Sequence, residues 1–184
     1  AATQGTPGMD KRNLLKEILR KNITLIDYEN IRSKQGSRYL GFGKFAGIIG
    51  CYNSLCLYES FINTNKLQRS YDLKTYSNLK VYLKNKFFTK MKLILTGDGR
   101  VAKGALELLK LTNIKQVTKN DFLKKKFEFP VFCNLETSDY IESHSKERFS
   151  LKDFIKYPKK YRSIADKYLK EASILISAHY WDPN

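Results

Sequence analysis

The feature that most constrains the fold of this 184-residue chain is a short apolar run that leads through a glycine turn into a helical pattern. The run is Met91-Lys-Leu-Ile-Leu-Thr96, and the turn is Gly97-Asp-Gly99. A buried run of this length is typical of a parallel strand. The apolar residues that follow recur at the spacing of one helix face: Val101, Ala105, Leu108 and Leu109. The stretch therefore predicts a strand, a tight turn and a helix.

A glycine turn between a strand and a helix is typical of a site for nucleotide phosphates. Gly97 permits the tight turn, and Gly99 leaves room for a pyrophosphate beside the first amides of the helix. Ala102 takes the position of the usual third glycine, and Gly104 is expected to let the helix pack closely on its strand. The alternative is a glycine-rich turn in a core that binds nothing.

The segments before this turn predict a helix, a strand and a second helix. Apolar spacing indicates a short amphipathic helix around residues 14–19, and Ile23-Thr-Leu-Ile-Asp-Tyr28 is interpreted as a strand. Residues 44–61 are apolar on nearly all sides, and Gly47 and Gly50 predict a buried helix packed against a neighbour. Residues 63–90 indicate a linker with some packed helix.

Three further strands are expected after the turn, at residues 114–118, 131–135 and 173–178. Ser150 begins a short helix with a capping-box pattern, and Pro158 is predicted to start another helix. Strands that alternate with helices predict an α/β fold with a parallel sheet.

Composition limits the remaining classes. Apolar residues make up 42% of the chain, which allows a real core, and no window has the roughly 18 uncharged apolar residues of a membrane span. The three cysteines, Cys51, Cys56 and Cys133, have no CxxC pair or neighbouring histidine, so buried free thiols, no metal site and a cytoplasmic location are expected. The net charge of +16 keeps a basic nucleic-acid-binding protein as an alternative, but the scattered lysines and the lack of a reading motif predict no nucleic-acid partner.

Three blocks of sequence occur in one order along the chain. The first is Asp27-Tyr-Glu-Asn30 followed by Gly36-Ser-Arg-Tyr-Leu-Gly-Phe-Gly-Lys-Phe-Ala-Gly-Ile-Ile-Gly50, and the second is Leu95-Thr-Gly-Asp-Gly-Arg-Val-Ala-Lys-Gly-Ala105. The third pairs Tyr157-Pro-Lys-Lys-Tyr161 with Ala178-His-Tyr-Trp181. Together they resemble the saccharopine dehydrogenase family, most closely its lysine–ketoglutarate reductase branch, within the wider alanine dehydrogenase and transhydrogenase group.

The resemblance implies an NAD(P)-dependent oxidoreductase of amino-acid metabolism that acts on CH–NH groups. Its substrates would be an amino acid and a 2-oxo acid, joined or split through a secondary amine by hydride transfer. The matched motif implies that the pyrophosphate is lined by Gly97, Asp98, Gly99, Arg100 and Val101. Arg38 would bind a substrate carboxylate, or else form a surface ion pair.

The family's catalytic lysine and histidine lie upstream of the segment that Asp27 begins, and no matching segment precedes Asp27 here. We therefore expect no catalytic residue in this chain and no turnover from it alone, and a non-catalytic nucleotide-binding or regulatory module is the alternative. His144 is expected in solvent. His179, at the end of the fourth strand, is interpreted either as a packed side chain or as a cofactor contact.

The nucleotide preference is predicted from the residues that follow the second strand. An acidic residue about 20 positions past the glycines normally binds the 2′-hydroxyl of NAD. Here the strand ends in Val117-Thr118-Lys119, and a lysine suits the 2′-phosphate of NADP. Thr118 and Lys119 are therefore predicted cofactor contacts and NADP is preferred, while Asp121 as an NAD ligand and a lost cofactor site are the alternatives.

The predicted organisation combines the residue patterns with the resemblance. Residues 1–9 are interpreted as a remnant of cloning, 10–43 as the tail of a substrate domain, 44–90 as a connecting helix and linker, and 91–184 as a partial Rossmann-like domain. Because a dinucleotide-binding domain normally has about six strands, the chain is interpreted as a fragment. An exposed sheet edge at the truncated end would favour dimerisation as an artefact, so a homodimer is kept as a possible oligomer.

Overall fold

The computed structural model describes residues 9–36, 38–64 and 66–179. The helices are α1 (Met9–Arg20), α2 (Gly43–Phe61), α3 (Tyr76–Lys84), α4 (Arg100–Leu109), α5 (Lys119–Lys124), α6 (Thr137–Tyr140), α7 (Leu151–Lys156) and α8 (Asp166–Leu169). The strands are β1 (Lys92–Thr96), β2 (Lys115–Gln116), β3 (Val131–Leu135), β4 (Ile141–Ser143), β5 (Tyr161–Ser163) and β6 (Ile174–Ser177). Short 3₁₀ turns lie at Tyr28–Asn30 and Pro158–Lys160. The chain divides into two units, one that ends at Gly41 and one that begins at Phe42.

In the amino-terminal unit the predicted helix is confirmed as α1, but the predicted strand at residues 23–28 is wrong. Residues 23–27 have no strand assignment, and Tyr28 begins a 3₁₀ turn. A strand needs a hydrogen-bonding neighbour. Among the described residues of this unit, the one strand-like pairing is an isolated bridge between Arg32 and Arg38. The predicted cloning remnant lies, except for Met9, outside the described residues.

The second unit contains a four-stranded parallel sheet in the order β2-β3-β1-β6, which confirms the α/β fold class. Thr96 of β1 is in register with Leu135 of β3 and with Ser177 of β6. β1 therefore lies between β3 and β6, although β2 is the strand that follows it in the chain. This order differs from the usual Rossmann order, in which the second strand pairs with the first. The chain thus passes from β1 through α4 to β2 at the edge of the sheet, and β3 then lies between β2 and β1.

Helices cover both faces of the sheet, as near-continuous apolar strands require. Leu93 and Leu95 belong to one core with α2, α3 and α4, while Ile94 belongs to a second core with Phe122 and Tyr168. Alternate residues of β1 thus enter opposite cores, because side chains alternate along a strand. Four of the five residues of β3 are buried, and the fifth, Asn134, is half-buried.

The helix predicted at residues 44–61 is confirmed as α2, and it packs closely against α4. A Cβ atom on Gly47 would overlap the carbonyl of Val101, and one on Gly104 would overlap the carbonyl of Lys44. Gly104 therefore lets α4 approach α2, and its predicted packing against the strand was wrong. Gly50 has open space around it, so it takes no part in the contact.

The helix predicted from Pro158 onward is wrong, because the segment forms an antiparallel pair. Pro158 begins a single 3₁₀ turn, and β5 then pairs with β4, with Glu142 opposite Arg162. Arg162 donates from Nε to a Glu142 carboxylate oxygen at 2.7 Å. The helix begins only at Asp166, as the four-residue α8. Residues 161–163, which were expected in a helix, therefore form a strand that pairs with β4 outside the main sheet.

The other elements follow the sequence more closely. The third predicted strand is confirmed in full as β3, the fourth is confirmed as the slightly shorter β6, and the second is reduced to the two exposed residues of β2. The Ser150 hydroxyl accepts from the Asp153 amide at 3.4 Å, which confirms the helix start at α7. The packed helix expected within residues 63–90 is confirmed as α3, which Thr75 caps.

Candidate nucleotide site at the carboxyl ends of the parallel strands

The turn after β1 packs closely between the carboxyl ends of β3 and β6. Gly97 has a φ angle of +104°, which only glycine adopts without strain. Its amide donates to the carbonyl of Leu135 at 2.8 Å, and a Cβ atom there would lie 2.6 Å from the carbonyl oxygen of Ala178. Both the backbone angle and the close neighbour therefore require glycine at this position.

The helix start that follows is open to an anion. Gly99 is the N-cap of α4, no side chain caps the helix, and its first turn carries no acidic residue. The first amides of a helix and its dipole favour a bound anion. A Cβ atom on Gly99 would meet no atom within 4 Å, so the space in front of the turn is open. Asp98 and Arg100 flank this space as exposed side chains, and Val101 packs against the apolar core.

His179 lies beside the turn, at the end of β6. Its Nδ1 and the Thr96 hydroxyl are 2.6 Å apart, and its ring lies 5.8 Å from that of Tyr140. Burial lowers the pKa of His179 below its usual value, so the ring is neutral at neutral pH. The side chain is therefore packed, as one of the two interpretations expected, and it adjoins the turn at Gly97. Its contact with a cofactor stays a prediction.

Thr118 and Lys119 follow the carboxyl end of β2, the outer strand of the sheet. Thr118 caps α5 by accepting from the Asp121 amide at 3.1 Å. The Lys119 ammonium contacts Asp139 at 2.7 Å, and this bond raises the pKa of Lys119. Asp121 pairs with Lys125 at 2.9 Å, which lowers the pKa of that carboxyl. The predicted nucleotide-contacting lysine is thus already paired with a carboxylate, and β3 separates its strand from β1.

Two residues at the end of β3 were not predicted as site residues. Asn134 lines an open cavity of about 680 Å³ together with residues 116–120. Its Oδ1 is buried and has no hydrogen-bond partner among the described residues. Glu136 directly follows β3 as an exposed side chain. One signal was present in the sequence, since Asn134 is the single polar residue in an otherwise apolar strand.

Arg38, the predicted substrate contact, lies in the amino-terminal unit. Its backbone pairs with that of Arg32 across a turn that contains Gly36 at a φ angle of +83°. The Arg32 guanidinium donates to the Gly36 carbonyl at 3.1 Å. The backbone pairing and this side-chain hydrogen bond together hold the turn, and they fix the backbone at Arg38. The predicted Tyr180 and Trp181 of the third block lie outside the described residues.

The thiols have little chemical reactivity. Cys51 is fully buried and burial raises its pKa to about 12, while burial raises the pKa of Cys133 to about 11. Cys56 is half-buried, and all three are free, which confirms the expected free thiols. Within the described ranges, no three His, Cys, Asp or Glu side chains are grouped to hold a metal ion. None of the helices described is both long and apolar enough to cross a membrane.

Comparison with known proteins gives relatives along nearly the whole chain, although no family model matches it. The chain is 24% identical to the mitochondrial alpha-aminoadipic semialdehyde synthase of Mus musculus over 200 residues, which cover 94% of this chain and 21% of that protein. It is also 24% identical to the synthase of Arabidopsis thaliana over 208 residues, which cover 92% of this chain and 19% of that protein. The chain thus spans about a fifth of the length of these relatives. The similarity confirms the resemblance to the saccharopine dehydrogenase family.

Proposed function

We propose that this chain contains part of the NAD(P)-binding domain of an oxidoreductase of the saccharopine dehydrogenase type. The observation that carries the proposal is the turn at Gly97, held between the ends of β3 and β6 and followed by the uncapped start of α4. The similarity to alpha-aminoadipic semialdehyde synthases supports the reaction class. The reaction would join or split an amino acid and a 2-oxo acid through a secondary amine.

The residues of the turn fit a dinucleotide. The open space at Gly99 admits a pyrophosphate, and the first amides of α4 would donate to its oxygens. Arg100 adds a positive charge beside that space. A nicotinamide coenzyme, when bound, supplies or accepts the hydride. The role of this chain is to hold the phosphates and to fix the orientation of the coenzyme.

His179 is proposed to position the coenzyme where β6 ends. Thr96 and Tyr140 fix its ring, and its neutral state avoids a buried positive charge. In open parallel sheets, ligands lie outside the carboxyl ends of the strands, where this ring is found. A neutral ring can offer one donor and one acceptor nitrogen, so it suits a hydroxyl or amide of the ligand.

The remaining parts of the proposal concern the whole enzyme. Arg38 would bind a carboxylate of the amino-acid or 2-oxo-acid substrate through parallel hydrogen bonds. The catalytic lysine and histidine implied by the resemblance would come from elsewhere, so we expect no turnover from this chain alone. A homodimer and a cytoplasmic location remain predictions. The names of the mouse, rat and bovine relatives place those proteins in mitochondria.

The proposal is tested by calorimetric titration of the chain with NADH and with NADPH. We expect saturable binding of at least one nucleotide. Gly99→Val should abolish it, because the branched side chain would fill the open space in front of the turn. Gly50→Val is the matched control, since Gly50 is also exposed with open space around it but lies on α2. Wild-type chain that binds neither nucleotide, or a Gly99 variant that binds normally, would refute the proposal.

A further inference from the structure

The strand order decides which side chain adjoins the proposed phosphate-binding turn. Because β3 and not β2 pairs with β1, the amide of Gly97 donates to the carbonyl of Leu135 at 2.8 Å. The next residue in the chain is Glu136. A carboxylate therefore follows the strand next to the turn, one residue beyond the hydrogen bond that joins the two.

In dinucleotide-binding sheets, an acidic residue at the end of the strand beside the glycine turn accepts from the ribose 2′-hydroxyl of NAD. We propose that Glu136 performs this task, so that the site takes NAD in preference to NADP. The inference rests on the dinucleotide function proposed above, and it reverses the preference predicted from Lys119.

The charges around Glu136 favour a hydroxyl over a phosphate. Asp98 lies within the turn, and Asp139 accepts from the Glu136 amide at 2.7 Å. A hydroxyl can donate to a carboxylate, whereas a phosphate presents only acceptors and a charge of about −1.5 to −2. A 2′-phosphate would therefore meet the like charges of Glu136 and Asp98 and gain no hydrogen bond from Glu136, while the charge of Asp139 is paired with the Lys119 ammonium at 2.7 Å.

The cavity beside β3 supplies room for the rest of the adenosine. Asn134 precedes Glu136 by two positions, so both side chains leave the extended chain on the same side. The Asn134 Oδ1 is buried, lines the cavity of about 680 Å³ and has no partner among the described residues. A buried acceptor of this kind costs free energy unless a donor reaches it. The amino group of adenine is such a donor, and its ribose would then lie toward Glu136.

Lys119 is the rival determinant, because it lines the same cavity as Asn134. It follows β2, which pairs with β3, so it lies near the end of β3 rather than beside the turn after β1. Its ammonium is held by Asp139 at 2.7 Å. To bind Lys119, a 2′-phosphate would have to displace the Asp139 carboxylate from the ammonium, and it would then lie close to that like charge.

The test is to measure the dissociation constants of NADH and NADPH for the chain and three variants. Glu136→Gln removes the proposed acceptor charge, and Lys119→Gln removes the rival. Glu128→Gln makes the same charge change at an exposed position before β3, at the opposite, amino-terminal ends of the strands. Circular dichroism establishes that each variant is folded.

We expect the wild type to bind NADH at least about tenfold more tightly than NADPH, and Glu136→Gln to reduce that ratio by about tenfold to hundredfold. Lys119→Gln and Glu128→Gln should leave the ratio within about twofold of wild type. A wild type that prefers NADPH, or a ratio that responds to Lys119 and not to Glu136, would overturn the inference and leave the dinucleotide function standing. Binding of neither nucleotide would overturn the proposed function and this inference together.

Discussion

Two glycines of α2 should respond in opposite directions to the same substitution. Gly47 faces α4, where a new Cβ atom would overlap the Val101 carbonyl oxygen and lie 2.9 Å from the Ala105 amide nitrogen. Gly50 is one turn further along the helix and has nothing within 4 Å. The helix-forming tendency of alanine is the same at both positions, so the difference between the variants measures the close contact between α2 and α4.

The magnitudes follow from two terms. Replacing a glycine inside a helix by alanine stabilises by roughly 0.5–1 kcal/mol. At Gly47 this gain is opposed by overpacking, which costs typically about 1–3 kcal/mol and more where the neighbour is backbone that cannot rotate away. We therefore expect Gly47→Ala to lower the free energy of unfolding by about 2 kcal/mol and Gly50→Ala to raise it by about 0.5–1 kcal/mol.

The assay is urea denaturation followed by circular dichroism for wild type and both alanine variants. For a chain of this length the expected loss at Gly47 corresponds to a fall in the melting temperature of roughly 4–8 °C. A Gly47 variant as stable as the wild type would refute the close packing of α2 on α4. Equal effects at the two glycines would show that helix propensity, and not this contact, decides stability here.

Other expected outcomes concern buried polar and ionisable groups. Glu59 is fully buried and accepts from the hydroxyls of Thr64 and Thr89 at 2.8 and 2.9 Å, so Glu59→Ala should cost about 2–4 kcal/mol in urea denaturation, and an unchanged midpoint would contradict this. Because burial lowers the pKa of His179, the imidazole of the unfolded chain takes up a proton at higher pH than that of the folded chain, so the free energy of unfolding should fall as the pH drops below about 6.5. His179→Gln should flatten that part of the plot of unfolding free energy against pH. A variant with the same slope as the wild type would contradict the lowered pKa. Since burial raises the pKa of Cys51 to about 12, an aromatic disulfide reagent at pH 8 should label it only after denaturation, and rapid labelling of the folded chain would contradict its burial.

Local patterns were sufficient for the elements that are fixed by neighbours in the chain. The apolar run of β1, the glycine turn and the periodic face of α4 lie within the 19 residues from Met91 to Leu109, and the structure has all three in the predicted order. The same applies to β3 and to the helix start at Ser150, where the cap and its amide partner are three residues apart. In each case the side-chain periodicity or the cap identifies the element without reference to distant residues.

Predictions failed where a segment depends on a distant partner. Residues 161–169 have helical spacing, yet Tyr161–Ser163 pairs with Ile141–Ser143, some twenty residues away in the chain. Residues 23–28 have the composition of a strand, but no neighbouring strand is present among the described residues of that unit. Strand formation needs both an apolar pattern and a partner, and only the first is visible in the sequence.

The sequence by itself determined that the chain has a parallel sheet with a glycine turn between β1 and α4, because an apolar strand, glycine spacing and helix periodicity are local properties. Only the tertiary structure decided that β3 lies beside β1, which places Glu136 near Gly97 and separates Lys119 from it by a strand. It also decided that Gly104 faces α2. Strand order and helix contacts depend on which apolar surfaces bury each other most completely, and that depends on residues far apart in the chain.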